Sequence, residues 1–368
     1  MIRRMVVGTA GGLVAAALAL AGVLAPVDIA IYDSLFEWRG PRPLRAPIVI
    51  VAIDEYSIRQ LDQWPFPRAT HARLIDRISA GSPLAIGFDL IFDTPSLLGS
   101  DDDAALGTAI ERARNVVLIA AATYERGDFF ESFDLHMPLQ VIRRGAASVG
   151  YANVPVDHDS HLRRMLLSAP SSYQGLPAFG IALTQVAGAA GSRVAQMPSA
   201  GAPLINFRGV PGTFPWYSYV RVLEGDVTPD TFRGQIVLVG GTSVLSHDLP
   251  ATPFARAGGM PGVEVHANVI ATLMQGNPIR ETPPLVEAGV ALLFGLIVGI
   301  LATRASRLTL PAAGISLAAI GIGTYALFVH RELWFRPVAT LVALGLSLVL
   351  SLAASRWPVL SPPAAAAR

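Results

Sequence analysis

Pro47-Ile48-Val49-Ile50-Val51-Ala52-Ile53-Asp54-Glu55 is an unbroken apolar run, rich in β-branched residues, that stops at two carboxylates. With no polar residue at alternate positions it suits a strand covered on both faces, as in a parallel sheet, rather than a half-solvated antiparallel one. The neighbouring sequence continues the pattern. Over 67–78, Leu74, Ile75 and Ile78 form one helical stripe, and Gly81 is the stop signal. A second strand over 84–88 ends at Asp89, and Asp101, Asp102 and Asp103 supply the cap and first turn of a helix over 104–113, where negative charge complements the helix dipole. A third strand follows at 116–121. Strand, helix, strand, helix, strand predicts a mainly parallel sheet with right-handed crossovers. Late in the chain 236–239, closed by Gly240-Gly241, repeats the strand signature, and 263–275 reads as a helix. Between 124 and 232, with Tyr, Phe, Pro and Gly punctuation and an Ala/Gly-rich patch at 181–191, the expectation is mixed strands and loops around one helix.

Outside this region the composition turns apolar. The 368 residues are 52% hydrophobic and 15% charged, with a mean hydropathy of +0.48, too apolar for an ordinary soluble chain. Four stretches, 6–25, 285–303, 308–329 and 337–354, are long enough to cross a hydrocarbon core of about 30 Å, and Glu287 is their one internal charge. Arg3 and Arg4, then Arg304 and Arg307, then Arg356 fall on one side if every stretch crosses, which places that side, with both termini, in the cytoplasm. The expected division is an anchor at 1–26, an exported domain at 27–283, a three-helix bundle at 284–356 and a short tail at 357–368. Ala19-Leu20-Ala21 before Gly22 also resembles a signal cleavage site, and cleavage there would leave the domain exported all the same.

The chain has no Cys, so neither a disulfide framework nor thiolate chemistry applies. All 28 basic residues are Arg, which removes Schiff-base chemistry, the P-loop lysine and the kinase strand lysine together. A net charge of +1 argues against nucleic acid as a partner.

Several phrases resemble one family: Ile53-Asp54-Glu55; Trp64-Pro65-Phe66-Pro67-Arg68 with His71; Gly87-Phe88-Asp89 with Phe92; Asn206-Phe207-Arg208-Gly209; Ser218-Tyr219; 234–240; Asp248; Thr252-Pro253-Phe254; and Met260-Pro261-Gly262-Val263-Glu264-Val265-His266-Ala267-Asn268. As a set they are similar to the type-2 CHASE sensor domain (cyclase/histidine-kinase-associated sensory extracellular). The resemblance implies an α/β exported sensor domain with a mainly parallel sheet, plus one N-terminal and three C-terminal transmembrane helices, in a bacterial inner membrane with the sensor in the periplasm. It also implies a cytoplasmic effector, a nucleotide cyclase or a kinase, after the last helix. Only 355–368 follows that helix here, so the effector is expected on a missing continuation or on a separate protein. Dimerisation is expected for a cyclase output. One departure from the family pattern is Ser160, in Asp157-His158-Asp159-Ser160-His161-Leu162-Arg163, where a Gly forms the tight turn before the family's Arg.

Candidate ligand-binding residues follow from the sheet, because ligands of parallel α/β sheets gather at the carboxyl ends of strands. Asp54, Glu55, Asp89 and Asp93 follow such ends, and Asp248 follows the late strand; if the strands are neighbours, the carboxylates converge on one acidic crevice. It would hold a divalent cation or accept hydrogen bonds from a cationic or hydroxylated ligand; otherwise these residues cap helices and turns. Arg68 and His71, behind two aromatics, form either a clamp for a planar or anionic ligand or a rigid helix start with its aromatics in the core. Asp157, Asp159 and His161 share one face of an extended segment, as metal ligands or as a solvated loop. His266 and Asn268 are expected to form a buried pair or to relay a signal. Glu287 is expected near the outer membrane surface within reach of water. No cofactor is identified. Ser246-His247-Asp248 are adjacent and form no catalytic triad, and no HExxH, P-loop or nucleophile-elbow pattern occurs, so catalysis by this chain is not expected. The leading expectation is a receptor for an unidentified extracytoplasmic ligand. The alternatives are a membrane-anchored scaffold for a periplasmic partner and, less favoured, a metal-dependent exported enzyme.

Overall fold

The computed structural model describes residues 2–126, 131–170, 173, 175–191, 201–243, 248–255, 258–304 and 308–356. In chain order the elements are α1 (Ile2–Leu20), α2 (Ala25–Arg39), β1 (Ile48–Ile53), α3 (Glu55–Leu61), α4 (Arg68–Ser79), β2 (Ala85–Asp89), α5 (Ser100–Ala113), β3 (Val116–Arg126), β4 (Glu131–His136), α6 (Gln140–Arg143), β5 (Ser148–Tyr151), α7 (Phe179–Ala189), β6 (Trp216–Ser218), α8 (Tyr219–Glu224), β7 (Ile236–Gly241), α9 (Gly262–Gln275), β8 (Arg280–Glu281), α10 (Pro284–Arg304), α11 (Thr309–Arg331), β9 (Leu333–Trp334) and α12 (Val338–Arg356). They divide into two compact units, Phe36–Pro278 and the combination of Met1–Leu35 with Ile279–Arg368.

In the first unit the strands run parallel in the order β5-β3-β2-β7-β1-β6, and β4 lies antiparallel to the second half of β3. All six residues of β1 are buried, as the uninterrupted apolar run predicts. The period-2 pleat divides them between two cores. Val49, Val51 and Ile53 join Ile86, Phe88, Val237 and Val239 beneath α4, α5 and α8, while Ile48, Ile50 and Ala52 join Val117, Ile119 and Leu238 beneath α7 and α9. Fully buried side chains such as Phe88 and Ile75 each contribute about 1.5–3 kcal/mol, so helices on both faces are what make these strands stable. β7, last in sequence, is inserted between β1 and β2, pairing Ile48 and Ala85 with the same Ile236. Among the described residues the segment 124–232 holds three α-helices, α6, α7 and α8, and a 3-10 turn at Pro229–Phe232, rather than one helix; the Ala/Gly-rich patch forms most of α7, and α6 and α8 are too short to show a helical period in the sequence.

The second unit corrects the reading of 6–25 as one straight helix. α1 ends at Leu20, Gly22 adopts φ 72°, and α2 begins at Ala25, an 80° bend between the two apolar segments. A glycine at positive φ ends a helix at no steric cost. Among the described residues two helices, Pro284–Leu301 and Thr309–Arg331, are long and apolar enough to cross a membrane, and the bent pair makes a third if it counts as one span. Among the glycines of these helices Gly295 makes a close contact, meeting Gly12 and Ser347, whereas Gly289, Gly314, Gly321 and Gly323 have no neighbour within 4 Å of where a Cβ would stand. Glu287 is buried, accepting from Thr282 Oγ1 with Arg336 Nη1 3.5 Å away, rather than reaching water.

Candidate functional site

A cavity of about 950 Å³ opens where β2 and β7 end, beside the middle of β3, lined there by Asp89, Gly241 and Ala121. This is the carboxyl edge of the sheet, where parallel α/β folds seat ligands. Its apolar wall is Trp64, Phe66, Ile91, Phe92, Leu97 and Leu98, and its polar corner is Asp89, Asp248 and His266. Asn153 also lines it, but both ends of its amide are held by the backbone of Ala122.

The polar corner is built by two glycines. A Cβ at position 262 would lie 1.7 Å from Asp248 Oδ2, and one at 240 would lie 3.1 Å from Asp89 Cβ and 2.8 Å from Val263 Cβ. Only glycine lets these carboxyl-bearing segments approach the start of α9 so closely. His266 Nε2 lies 3.8 Å from Asp89 Oδ1, and the two side chains are 8% and 11% exposed. They lie beyond hydrogen-bond reach of each other, and neither side chain makes a hydrogen bond among the described residues. Burial pushes the Asp89 carboxyl up to about 7 and the His266 imidazole down to about 4, with Asp248 partly opposing the latter. Partial burial and then the charge of Asp89 raise Asp248 as well, against the opposing influence of His266. Desolvated carboxyls this close favour the neutral form or demand a positive charge.

Of the predicted carboxylates Asp89 and Asp248 meet in the cavity, whereas Asp54, Glu55 and Asp93 do not line it. Asp54 caps α3: its Oδ1 accepts from Ser57 N at 2.8 Å, Ser57 Oγ at 2.5 Å and Ser218 Oγ at 3.0 Å, tying the end of β1 to β6. Glu55 lies in the first turn of α3, away from the cavity lining. The reason is the insertion of β7, which separates β1 from β2 by two strand spacings, roughly 10 Å. Asp93 pairs instead with His136 Nδ1 at 2.7 Å.

Arg68 and His71 do line the cavity, but not as a clamp for an anion. The Arg68 guanidinium lies over the Phe92 ring at 4.6 Å and 3.6 Å from Asp103 Oδ1, and its backbone N–H donates to Asp102. His71 Nδ1 lies 2.9 Å from Tyr219 Oη amid Phe66, Phe88 and Phe92; burial, then the Arg68 charge, lowers it to about 3, so it is a neutral core residue. Phe66 is in the core as the helix-start reading expects, while Trp64, 41% exposed, stands at the cavity wall.

Asp157 and Asp159 are not free for a metal. Both grip the guanidinium of Arg163, 2% exposed, at 2.9 Å and 2.7 Å, and those hydrogen bonds hold the Asp159 carboxyl below the usual range. His161 Nδ1 lies 3.0 Å from the Asp159 carbonyl. The tight turn forms despite the missing glycine, because Ser160 itself takes φ 62°. Among the described residues no three His, Cys, Asp or Glu side chains gather as a metal site, so a divalent cation finds no donor set there. Ser246 and His247 lie outside the described residues.

His266 and Asn268 are both buried but are not partners. Asn268 Oδ1 accepts from Arg208 N at 2.7 Å and its Nδ2 donates to Glu264 O. Glu264 accepts from Gly212 N and Thr213 N, and Thr272 Oγ1 from Asn206 N. Glu264, Asn268 and Thr272 thus form a polar stripe that satisfies the backbone of 206–213. Their i, i+4, i+8 spacing in a mostly apolar helix is a signal present in the sequence, though neither Glu264 nor Thr272 figures among the expected site residues.

No curated protein and no solved structure matches the chain. The family model of the CHASE2 domain, an extracellular sensor family typical of signalling receptors, matches residues 10–301. That match spans the cavity, the Arg163 turn and all of α9, and by it this chain belongs to the CHASE2 domain family.

Proposed function

We propose that this chain is the sensory part of a transmembrane receptor, which binds a small extracytoplasmic ligand in the cavity at the carboxyl edge of the sheet and passes the change along α9 toward the apolar helices. The observation that carries this reading is the contact of Asp248 with Gly262. The same residue pair lines the cavity and opens α9, and α10 follows α9 in the chain after 276–283. A ligand that draws on Asp248 therefore acts on the first turn of the helix that leads to the membrane. A shift of this kind signals only if the ligand prefers one of two arrangements. The output would pass to a cytoplasmic nucleotide cyclase or kinase, on a continuation of the chain or on a separate protein, and a cyclase output would call for a homodimer. The chain itself would bind rather than catalyse.

Joining the chain in frame to a reporter cyclase domain and measuring cyclic nucleotide in cells grown with and without periplasmic extract tests this. Ala121→Trp, which fills the cavity, should abolish the extract-dependent change while leaving basal output intact. An undiminished response would show that the cavity is not the sensing site.

A further inference from the structure

We propose that the cavity selects a small organic ammonium ion, its head between Asp89, Asp248 and His266 and its apolar body against Trp64, Phe66 and Phe92. This rests on the reading of the cavity as the sensor's ligand site. The first ground is an imbalance of hydrogen-bonding capacity. Asp89 and His266 are about nine-tenths buried, border the cavity, and make no hydrogen bond among the described residues; the carboxylate of Asp248 likewise has none. The corner offers two carboxylates and one imidazole acceptor nitrogen, an excess that a primary ammonium, with three donors and a charge, satisfies at once. A neutral alcohol brings one donor, and a carboxylate ligand brings repulsion.

The second ground is the placement of the one cation of the described lining. Arg68 is held by Asp103 and stacked on Phe92, so its charge is already balanced. The third is the aromatic wall, with Trp64 edge-on to Phe66 at a ring separation of 5.1 Å, which suits an apolar body and attracts a cation through its ring faces.

Proton linkage follows. Asp89 keeps its proton to about pH 7, burial raises the Asp248 carboxyl as well, and His266 stays neutral. Ammonium binding displaces the carboxyl proton, so affinity rises from about pH 6 to about pH 8.

The test uses the full chain in detergent micelles and calorimetric titration with three near-isosteric probes: cyclohexylammonium, cyclohexanol and cyclohexanecarboxylate. The expected result is saturable binding of the ammonium, at least about tenfold tighter than the alcohol, with loss of about tenfold to hundredfold in Asp89→Asn and in Asp248→Asn. Thermal melting of each variant certifies folding, and either folded variant suffices. Cyclohexanol binding as tightly as the ammonium, or folded variants with unchanged affinity, would overturn the ammonium claim and leave the cavity standing as a ligand site. Binding of none of the three also overturns it, and the Ala121→Trp signalling assay then decides the cavity reading separately.

Discussion

Asp89 closes β2 with its carboxyl withdrawn from water, and this makes stability depend on pH in an unusual direction for an aspartate. Its folded-state value near 7 exceeds the ordinary 3.8, so between about pH 4 and about pH 7 the folded chain holds a proton that the unfolded chain has lost. Stability from this group is therefore fully present below about pH 4 and lost as pH rises toward 7, by up to about 4 kcal/mol. His266, lowered to about 4, changes stability in the opposite sense over part of that window. The comparison that isolates Asp89 is Asp89→Asn against the parent: its melting advantage should be near zero at acid pH and grow toward neutral pH, and a constant difference would refute the assignment. Ser160 makes a second prediction. It holds φ 62°, a conformation that glycine adopts freely, so Ser160→Gly should stabilise by about 0.5–1 kcal/mol, read as a raised melting temperature. Both residues stood out in the sequence, Asp89 as a strand-end carboxylate and Ser160 as the departure from a glycine turn. What was not legible is which strand-end carboxylates become caps and which are stranded, because that depends on the partners each meets, such as Ser57 and Ser218 for Asp54.

Among the elements, α9 serves two faces. Val263, Ala267 and Ile270 pack beneath the sheet, while Glu264, Asn268 and Thr272 hold the backbone of 206–213. Asn268→Ala strips the acceptor from a buried Arg208 N–H and should destabilise by about 1–3 kcal/mol, with faster amide exchange at Arg208 as the local readout. A melting temperature unchanged from the parent would show that water replaces the amide. The helical stripe of α4 and the buried run of β1 were plain from periodicity, since both rest on residues close in the chain. The break between α1 and α2 was not, because Ala, Leu and Val continue across it and only the backbone conformation at Gly22 ends the helix.

At the scale of the whole molecule the absence of Cys becomes useful, since each introduced thiol is unique. If the sensor domain lies outside the cytoplasmic membrane and the end of α12 inside, Gln60→Cys should react with a membrane-impermeant maleimide in intact cells and Ser355→Cys only after permeabilisation. The reverse pattern would invert the proposed topology. By itself the amino-acid sequence determined the buried parallel strands, the amphipathic helices, the apolar segments and the family, because each is a short-range pattern of residue types. The tertiary structure alone decided that β7 lies between β1 and β2. It thereby decided that Asp89 meets Asp248 and His266 while Asp54 turns away to cap α3. Strand order is a pairing between segments far apart in the chain, chosen by the packing of both sheet faces at once, and no local periodicity encodes it.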